Sequence, residues 1–379
     1  MYGVELLKKL VSMNSIFPNE RPLAEFMEQQ LQERGFRTKR IYISENRFNV
    51  VGERGAEGKP VMLYGHLDTV PVYGKWSSDP LIMREEGGKL HGLGIYDMKA
   101  GLATILSACQ VKTERRIKVA FGVDEENISE GAWAIVKDGF LKDVEAIIVP
   151  EINDSPGNIP GTVGIMLGRR GRAVYRISVP GRSSHGAHIE DGISAISEAS
   201  RLVLELEKWN SSLGDHPKLP SPSQFIRKIY SESTSLSLPE EAVIELDRHL
   251  VPPETTESVL SGLRVSIGAL YEKGMFKEID GKRIRVEPAE RKTPYLDPYL
   301  IPEDLEVVKK LKDSIESEKA KMVFTYGASV ADENVFAAQG VPVVSLGPEG
   351  AQYHSADEWV DKKSFERLIK IYSRFISSL

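Results

Sequence analysis

The sequence predicts an α/β protein whose main domain is a doubly wound mixed sheet, interrupted by an inserted α+β domain. Three short apolar runs rich in Val and Ile stop just before a histidine or an acidic residue. The runs are 61–65, 117–123 and 146–149, and the polar residues after them are His66, Asp124 and Glu151. Such runs are typical of buried parallel strands, and open α/β sheets place their sites beyond the carboxyl ends of those strands. Near Arg169 the pattern changes to an apolar–polar alternation, which indicates a second kind of sheet.

The first part of the chain alternates between helical and extended patterns. Helical spacing predicts helices over 4–12 and 22–35, and Gly35 ends the second of them. Extended segments around 39–43 and 48–52 precede the strand that ends at His66. A Pro- and Gly-bearing loop follows over 69–94, and loops of that length usually carry function. The remainder predicts a helix over 100–111, a strand over 117–123, a helix over 131–138 and a strand over 146–149, the order of a doubly wound sheet.

The segment 169–291 is predicted to be the inserted domain. Its pattern indicates strands over 172–179, 224–231, 243–249 and 282–286, with helices over 193–209 and 256–271. This β-α-β-β-α-β order is typical of helices packed on one antiparallel sheet. Such a sheet keeps an edge free for pairing, which favours a homodimer.

The chain then returns to the first domain with a helix over 303–317, a strand over 342–346 and a closing helix over 363–378. We therefore predict one domain from 1–168 together with 292–379, and an inserted lid or dimerisation domain over 169–291.

Composition excludes several classes of protein. A chain of 379 residues with 41% apolar residues is long enough for two domains. The formal net charge of −6 argues against binding to nucleic acid or to an anionic membrane surface. We find no apolar stretch near the roughly 18 residues of a spanning helix and no secretion signal, so we expect a cytoplasmic protein that acts on a small molecule. The single cysteine, Cys109, lies in an apolar helical stretch and is expected to be an inert packed thiol.

The motif His66-Leu67-Asp68 has the residue types of a metal ligand and its partner. Residues i and i+2 of an extended segment point the same way, so Asp68 can sit behind His66 and accept its second ring N–H. A buried core histidine with a turn-capping Asp68 is the structural alternative.

Other acidic residues follow either a pair of glycines or an apolar run that is predicted to be a strand. Asp97 comes after Gly92 and Gly94, which lack the third glycine of a dinucleotide-binding loop, and its two oxygens could each bind a cation. Asp124-Glu125-Glu126 ends an apolar run, where unpaired buried charges are costly unless a cation offsets them or the turn is solvated.

Five segments in order resemble a known family. They are Gly65-His66-Leu67-Asp68-Thr69-Val70-Pro71, Gly92-Leu93-Gly94-Ile95-Tyr96-Asp97-Met98-Lys99, Asp124-Glu125-Glu126, Glu151 and His354-Ser355. The set resembles the co-catalytic zinc family of deacylases and exopeptidases, which contains acetylornithine deacetylase, succinyl-diaminopimelate desuccinylase, aminoacylase and carboxypeptidase G. The likeness covers most of the chain.

The resemblance implies two zinc ions, with cobalt or manganese as substitutes. It assigns His66 and Glu151 to one ion, Glu126 and His354 to the other, and Asp97 to both. It makes Glu125 the general base for amide hydrolysis, with Asp68 orienting His66. It also implies a cis peptide bond between Asp97 and Met98.

The same resemblance assigns three residues to substrate binding. Gly181-Arg182-Ser183-Ser184-His185-Gly186 is similar to the family segment whose histidine supports the tetrahedral oxyanion in the partner subunit's site, which assigns His185. Leu246-Asp247-Arg248 is similar to the strand whose arginine holds the substrate carboxylate, which assigns Arg248. Gly327 begins a stretch that departs from the family's Gly-rich pattern.

We therefore predict an enzyme that removes an acyl group from an N-acyl amino acid, as acetylornithine deacetylase and succinyl-diaminopimelate desuccinylase do. Two alternatives stay open: a metallo-dipeptidase or carboxypeptidase acting on short peptides, and a non-catalytic metal-binding homologue.

Overall fold

The computed structural model describes residues 2–155, 159–233 and 236–379. The chain forms two compact units, one of Met1–Arg169 with Leu300–Leu379 and the other of Arg170–Tyr299. The second unit extends beyond the predicted end at 291. The reason is backbone pairing, because the N–H of Arg172 donates to the carbonyl of Leu296 at 2.8 Å.

Strands and helices are numbered in chain order. The strands are β1 Arg37–Ser44, β2 Arg47–Arg54, β3 Glu57–His66, β4 Arg84–Glu86, β5 Lys89–His91, β6 Arg115–Gly122, β7 Ala146–Val149, β8 Val163–Arg169, β9 Gly171–Pro180, β10 Ser223–Tyr230, β11 Glu241–Leu250, β12 Arg285–Pro288, β13 Tyr299–Leu300, β14 Met322–Gly327, β15 Val343–Ser345, β16 Gly350–Ala351 and β17 Trp359–Asp361. The helices are α1 Tyr2–Val11, α2 Arg21–Glu33, α3 Ala100–Ala108, α4 Glu130–Asp138, α5 Ala195–Asn210, α6 Thr256–Glu272, α7 Glu306–Ser317, α8 Asp332–Ala337 and α9 Lys362–Ser377.

The first unit contains a mixed sheet with the order β1-β2-β6-β3-β7-β15-β8-β13, in which β14 also pairs with β8. The four adjacent strands β6, β3, β7 and β15 run parallel to one another. β2 pairs antiparallel with both β1 and β6, and β15 pairs antiparallel with β8. Residues 60–66 of β3 are all buried, as expected for a strand covered on both faces. Helix α3 packs against α1 and α9, while α4 packs against α8. The predicted mixed α/β sheet is confirmed.

Sequence patterns missed three strands of this sheet, namely β8, β14 and the two-residue strand β13. β8 (Val163–Arg169) is buried along its whole length and therefore lacks the polar alternation that marks a half-buried strand. β14 (Met322–Gly327) pairs parallel with β8, although more than 150 residues separate the two. The predicted loop over 69–94 contains β4 and β5. These two strands pair with β16 and β17 in a small sheet of the order β16-β17-β5-β4.

The second unit is a four-stranded antiparallel sheet, β10-β11-β9-β12, with α5 and α6 on one face. The chain order of these elements is the predicted β-α-β-β-α-β. Alternate residues of β11, namely Ala242, Ile244, Leu246 and Leu250, join the core beneath the helices. The face of β11 that carries Asp247 and His249 is therefore the other one.

Two smaller expectations concern the whole chain. Within the described ranges, every helix is too short or too polar to span a bilayer. Cys109 is buried, and burial raises the pKa of its thiol to about 12, as an inert packed thiol requires.

Candidate metal centre

The candidate site lies at the carboxyl edge of the parallel strands in the first unit. His66 is the last residue of β3 and pairs with Gly122, the last residue of β6. Glu125 and Glu126 follow β6 in a turn, and Glu151 follows β7. Because β7 and β6 flank β3 in register, the side chains that follow these strands converge at one edge.

One group of ligand-type atoms surrounds His66. Its Nε2 lies 3.0 Å from Oδ1 of Asp97 and 3.3 Å from Oε2 of Glu151. All three side chains are buried, and His66 is only 1% exposed. These are the three residues that the family resemblance assigns to one ion.

A second group surrounds His354, which is in the left-handed backbone region with a φ of 56°. Its Nε2 lies 2.9 Å from Oε2 of Glu126 and 3.2 Å from Oδ2 of Asp97. The two groups therefore share Asp97, but each uses a different oxygen of its carboxylate. A carboxylate placed in this way can bridge two cations.

Asp97 sits in an irregular turn over Ile95–Lys99, where Asp97 and Met98 have non-helical dihedral angles. The peptide bond between Asp97 and Met98 is cis, as the resemblance implied. Gly94 precedes this turn with a φ of 66°, a conformation that favours glycine.

Asp68 does sit behind His66, but it acts through different atoms from those predicted. The Nδ1 of His66 hydrogen-bonds to the backbone carbonyl of Asp68 at 2.9 Å, while the carboxylate Oδ1 lies 3.8 Å away. That carboxylate instead accepts the backbone N–H groups of Glu125 and Glu126 at 3.2 and 3.0 Å. Asp68 therefore orients both the histidine and the acidic turn.

Burial dominates the electrostatics of the acids. It raises the pKa of Glu126 and that of Glu151 to about 7, and the charge of Asp97 adds to both shifts. Burial also raises the pKa of Glu125 well above its usual value, while His66 opposes that shift. For Asp97, burial acts upward, but hydrogen bonds with His354 and His66 outweigh it and lower the pKa.

The donor atoms suit a divalent transition metal. They are imidazole nitrogens and carboxylate oxygens, and three acids in the two groups face two histidines. Ligands at about 2.0–2.2 Å from a tetrahedral ion lie roughly 3.3–3.6 Å apart, close to the separations of 2.9–3.3 Å found here. The residues present therefore fit a pair of zinc ions.

A family model described as peptidase family M20/M25/M40 matches residues 62–378. The chain belongs to this family. It is accordingly a metal-dependent hydrolase that acts on amide or peptide bonds.

Among curated M20/M25/M40 relatives, succinyl-diaminopimelate desuccinylase from Bordetella petrii is 26% identical and aligns over 99% of this chain and 97% of its own. The enzyme of the same name from Cupriavidus necator is also 26% identical, over 99% and 98% of the two chains.

Solved structures share the fold. Aminopeptidase PepT from Bacillus cereus has a TM-score of 0.78 at 16% identity and covers 99% of this chain and 97% of its own. The M20 family metallo-carboxypeptidase Sso-CP2 from Sulfolobus solfataricus has a TM-score of 0.73 at 16% identity, with coverage of 99% and 98%. A dinuclear metal-binding M20 peptidase from Bacillus subtilis has a TM-score of 0.72 at 14% identity, with coverage of 98% and 96%.

The predicted substrate residues of this M20 chain fall in both units. His185 lies on an exposed loop of the second unit, where its Nδ1 accepts the N–H of Ala187 at 3.1 Å. Gly327 ends β14 in the first unit, where a Cβ atom would come within 2.8 Å of Cγ of Arg169. Close packing alone therefore explains a glycine at this position, and substrate roles for both residues stay predictions.

Arg248 is placed differently from the expectation for a substrate-binding arginine. It is 2% exposed and lies on the face of β11 that α5 and α6 cover. Its guanidinium donates to Oε1 of Glu254 at 2.5 Å and to the carbonyl of His249 at 2.6 Å. The guanidinium already has a carboxylate partner, so this geometry does not support a substrate role.

Two buried acids near the site, Asp332 and Glu358, were not predicted to belong to it, although Asp332 ends the stretch that begins at Gly327. The hydroxyl of Tyr64 donates to Asp332 at the start of α8, and burial raises the pKa of Asp332 to about 7. Glu358 accepts backbone N–H groups of the turn that carries Asp97. Each is a single residue whose partners lie more than 200 positions away, so neither spacing nor periodicity could have identified it.

Proposed function

We propose that this M20 protein is a two-zinc amidohydrolase that removes an acyl group from an N-acyl amino acid. The observation that carries this proposal is the position of Asp97, whose two oxygens face different imidazoles at 3.0 and 3.2 Å. His66 and Glu151 would hold one ion with Asp97, and Glu126 and His354 would hold the other. Cobalt or manganese would use the same nitrogen and oxygen donors.

Two zinc ions, when bound, polarise the scissile carbonyl and lower the pKa of the attacking water. Glu125 takes the proton of that water and delivers it to the leaving nitrogen. Asp68 supports the step by accepting the backbone N–H of Glu125.

Further parts of the proposal rest on the resemblance. His185 would stabilise the oxyanion, Arg248 would hold a substrate carboxylate and Gly327 would line the substrate site, although the buried pairing of Arg248 with Glu254 weakens its part. A homodimer formed through the second unit and a location in the cytoplasm also stay predictions.

The names of the relatives support a succinylated or similar N-acyl amino acid as substrate, at 26% identity. Human carnosine dipeptidase 1, with a TM-score of 0.64, and the Sulfolobus carboxypeptidase are peptidases on the same fold. Hydrolysis of dipeptides or removal of C-terminal residues is therefore the second candidate function, since it needs the same metal ligands and the same base.

The test compares substrates on the zinc-loaded protein. N-succinyl-diaminopimelate, N-acetylornithine and a panel of unblocked dipeptides are assayed in parallel, and the metal content is measured by elemental analysis. We expect two zinc ions per chain and hydrolysis of at least one N-acyl amino acid. Activity confined to unblocked peptides would replace the deacylase proposal with the exopeptidase one, and zinc binding without turnover of any substrate would favour a non-catalytic homologue.

A further inference from the structure

A buried carboxylate outside both ligand groups connects two segments that supply ligands. Glu358 is 2% exposed and lies just before β17. Its Oε2 accepts the backbone N–H of Gly94 at 2.8 Å. Its Oε1 accepts those of Tyr96 and Asp97 at 2.7 and 2.9 Å.

The amides of Tyr96 and Asp97 belong to the turn that presents Asp97, and that of Gly94 lies directly before it. The turn is irregular, since Asp97 has φ −113° and ψ 89°. A main-chain hydrogen bond from the N–H of Lys99 to the carbonyl of Gly94 at 2.8 Å spans it, and the carboxylate of Glu358 adds acceptors for the backbone amides of Gly94, Tyr96 and Asp97. It therefore fixes the backbone from which the shared carboxylate of Asp97 projects.

Glu358 also belongs to the segment that presents His354, four residues earlier in the chain. Main-chain contacts hold this segment against the strand before the Asp97 turn, because Gly92 donates its N–H to the carbonyl of Glu358 at 3.2 Å. Trp359 pairs with His91 between β17 and β5. One side chain thus connects the backbone of Asp97 with the segment of His354.

We propose that Glu358 is a positioning residue that sets the metal affinity of the second ligand group, Asp97, Glu126 and His354. The inference rests on the proposed two-metal function of this site. In the first group, His66 is the last residue of the central strand β3 and Glu151 follows β7, so only Asp97 depends on Glu358. Loss of the carboxylate should therefore weaken one metal equivalent much more than the other.

The test titrates zinc into metal-free protein against a chelator of known affinity. Glu358→Gln keeps the size of the side chain but replaces one acceptor oxygen with an NH2 group. Because NH2 is a donor, it cannot accept the hydrogen bond from the N–H of Gly94. We expect wild type to bind two equivalents and the variant to keep one, while the other weakens about 10- to 100-fold, as for other residues that orient metal ligands. Glu85→Gln is the matched control, because Glu85 is an exposed acid of the same small sheet that pairs with Lys362 at 2.8 Å.

Cobalt absorption spectra provide a second measurement that general destabilisation would not change. The band of the second cobalt equivalent should shift in Glu358→Gln and not in Glu85→Gln. Glu358→Asp is the substitute if the glutamine variant does not fold without metal. Unchanged binding of both equivalents, or unfolding of both variants without metal, would overturn the inference, whereas wild type that binds fewer than two ions would overturn the proposed function itself.

Discussion

The metal-ligand edge of the first unit and the sheet of the second unit contain buried acids in opposite arrangements. At the sheet edge of the first unit, the carboxylates of Asp97, Glu126 and Glu151 crowd around two imidazoles at 2.9–3.3 Å. In the second unit, the buried acid Asp247 accepts two hydrogen bonds from the guanidinium of Arg172 at 2.9 and 2.6 Å. The first arrangement has an excess of acid, and the second is balanced.

This difference distinguishes acids that serve a metal site from acids that support the fold. Taking a charge out of water costs several kcal/mol, which a well-placed partner within the protein can offset. Arg172 offsets the charge of Asp247, and its hydrogen bonds to Asp247 raise its own pKa. Burial instead raises the pKa of Glu126 and Glu151 to about 7, so these acids are destabilised unless cations bind. A buried excess of acid therefore marks a place where metal binding, and not folding, explains the residues.

The largest expected effect follows from Glu125→Gln. The variant keeps the size of the side chain but cannot accept the proton of water, so kcat should fall by about 10²- to 10⁴-fold. Zinc content should remain at the wild-type value, because Glu125 is not one of the proposed ligands. Steady-state kinetics with elemental analysis test this, and unchanged turnover would contradict the role of Glu125.

Glu126→Gln should change stability in opposite directions with and without zinc. The pKa of Glu126 is about 7 in the folded protein and 4.5 in the unfolded chain, so the folded state retains its proton longer and loses stability as pH rises from 4.5 to 7. Above pH 7 the metal-free variant should therefore be more stable than wild type by about 1–3 kcal/mol.

Zinc should stabilise the same variant less than it stabilises wild type, which gains about 3 kcal/mol per site at a hundredfold excess over Kd. Calorimetry at pH 8, with chelator and with zinc, measures both effects. A metal-free variant that is less stable than wild type would show that Glu126 supports the fold.

The balanced pair of the second unit gives the contrasting prediction. Arg172→Met leaves Asp247 buried without its partner and should lower the stability of this unit by about 1–3 kcal/mol, less than for a fully buried pair because Arg172 is 42% exposed. Adding Asp247→Asn should recover most of the loss.

Fluorescence can isolate this unit, because Trp209 is the only one of the four tryptophans within 170–299. In a variant with the other three changed to Phe, urea unfolding followed at Trp209 reports the second unit. Zinc binding should be the same with and without Arg172→Met, and a change in zinc stoichiometry would contradict the separation of the two regions.

The smallest effect concerns pH and His249. Burial lowers its pKa to about 4 from 6.5, and the charge of Arg170 adds to the shift. On acidification the unfolded chain takes up the proton first, so stability of the second unit should fall as pH decreases from 6.5 to 4. We expect a loss of about 1 kcal/mol, reduced by the partial exposure of the ring.

His249→Gln should remove this slope, while His216→Gln, at a more exposed position, serves as the control. The measurement is again unfolding followed at Trp209. An unchanged slope in His249→Gln would assign the pH dependence to other groups.

Much of the main sheet could be predicted, because β3, β6 and β7 are apolar runs that stop just before polar residues. β8 and β14 could not be predicted in the same way, since they pair with each other across more than 150 residues of sequence. The behaviour of Asp68 was only half predictable. Spacing placed it behind His66, but the competing N–H groups of Glu125 and Glu126 determined where its carboxylate points.

The sequence by itself determined the order of strands and helices in the second unit and the central parallel strands of the first, and it indicated which acids and histidines could be metal ligands. Both conclusions depend on local properties: the period of apolar residues and the donor atoms of each side chain. Only the tertiary structure decided that the two oxygens of Asp97 face different histidines, that Glu358 holds the turn of Asp97, and that Arg248 pairs with Glu254. Most of these contacts join residues that are distant in the sequence. Which of several possible partners a side chain contacts depends on the tertiary structure that brings them together.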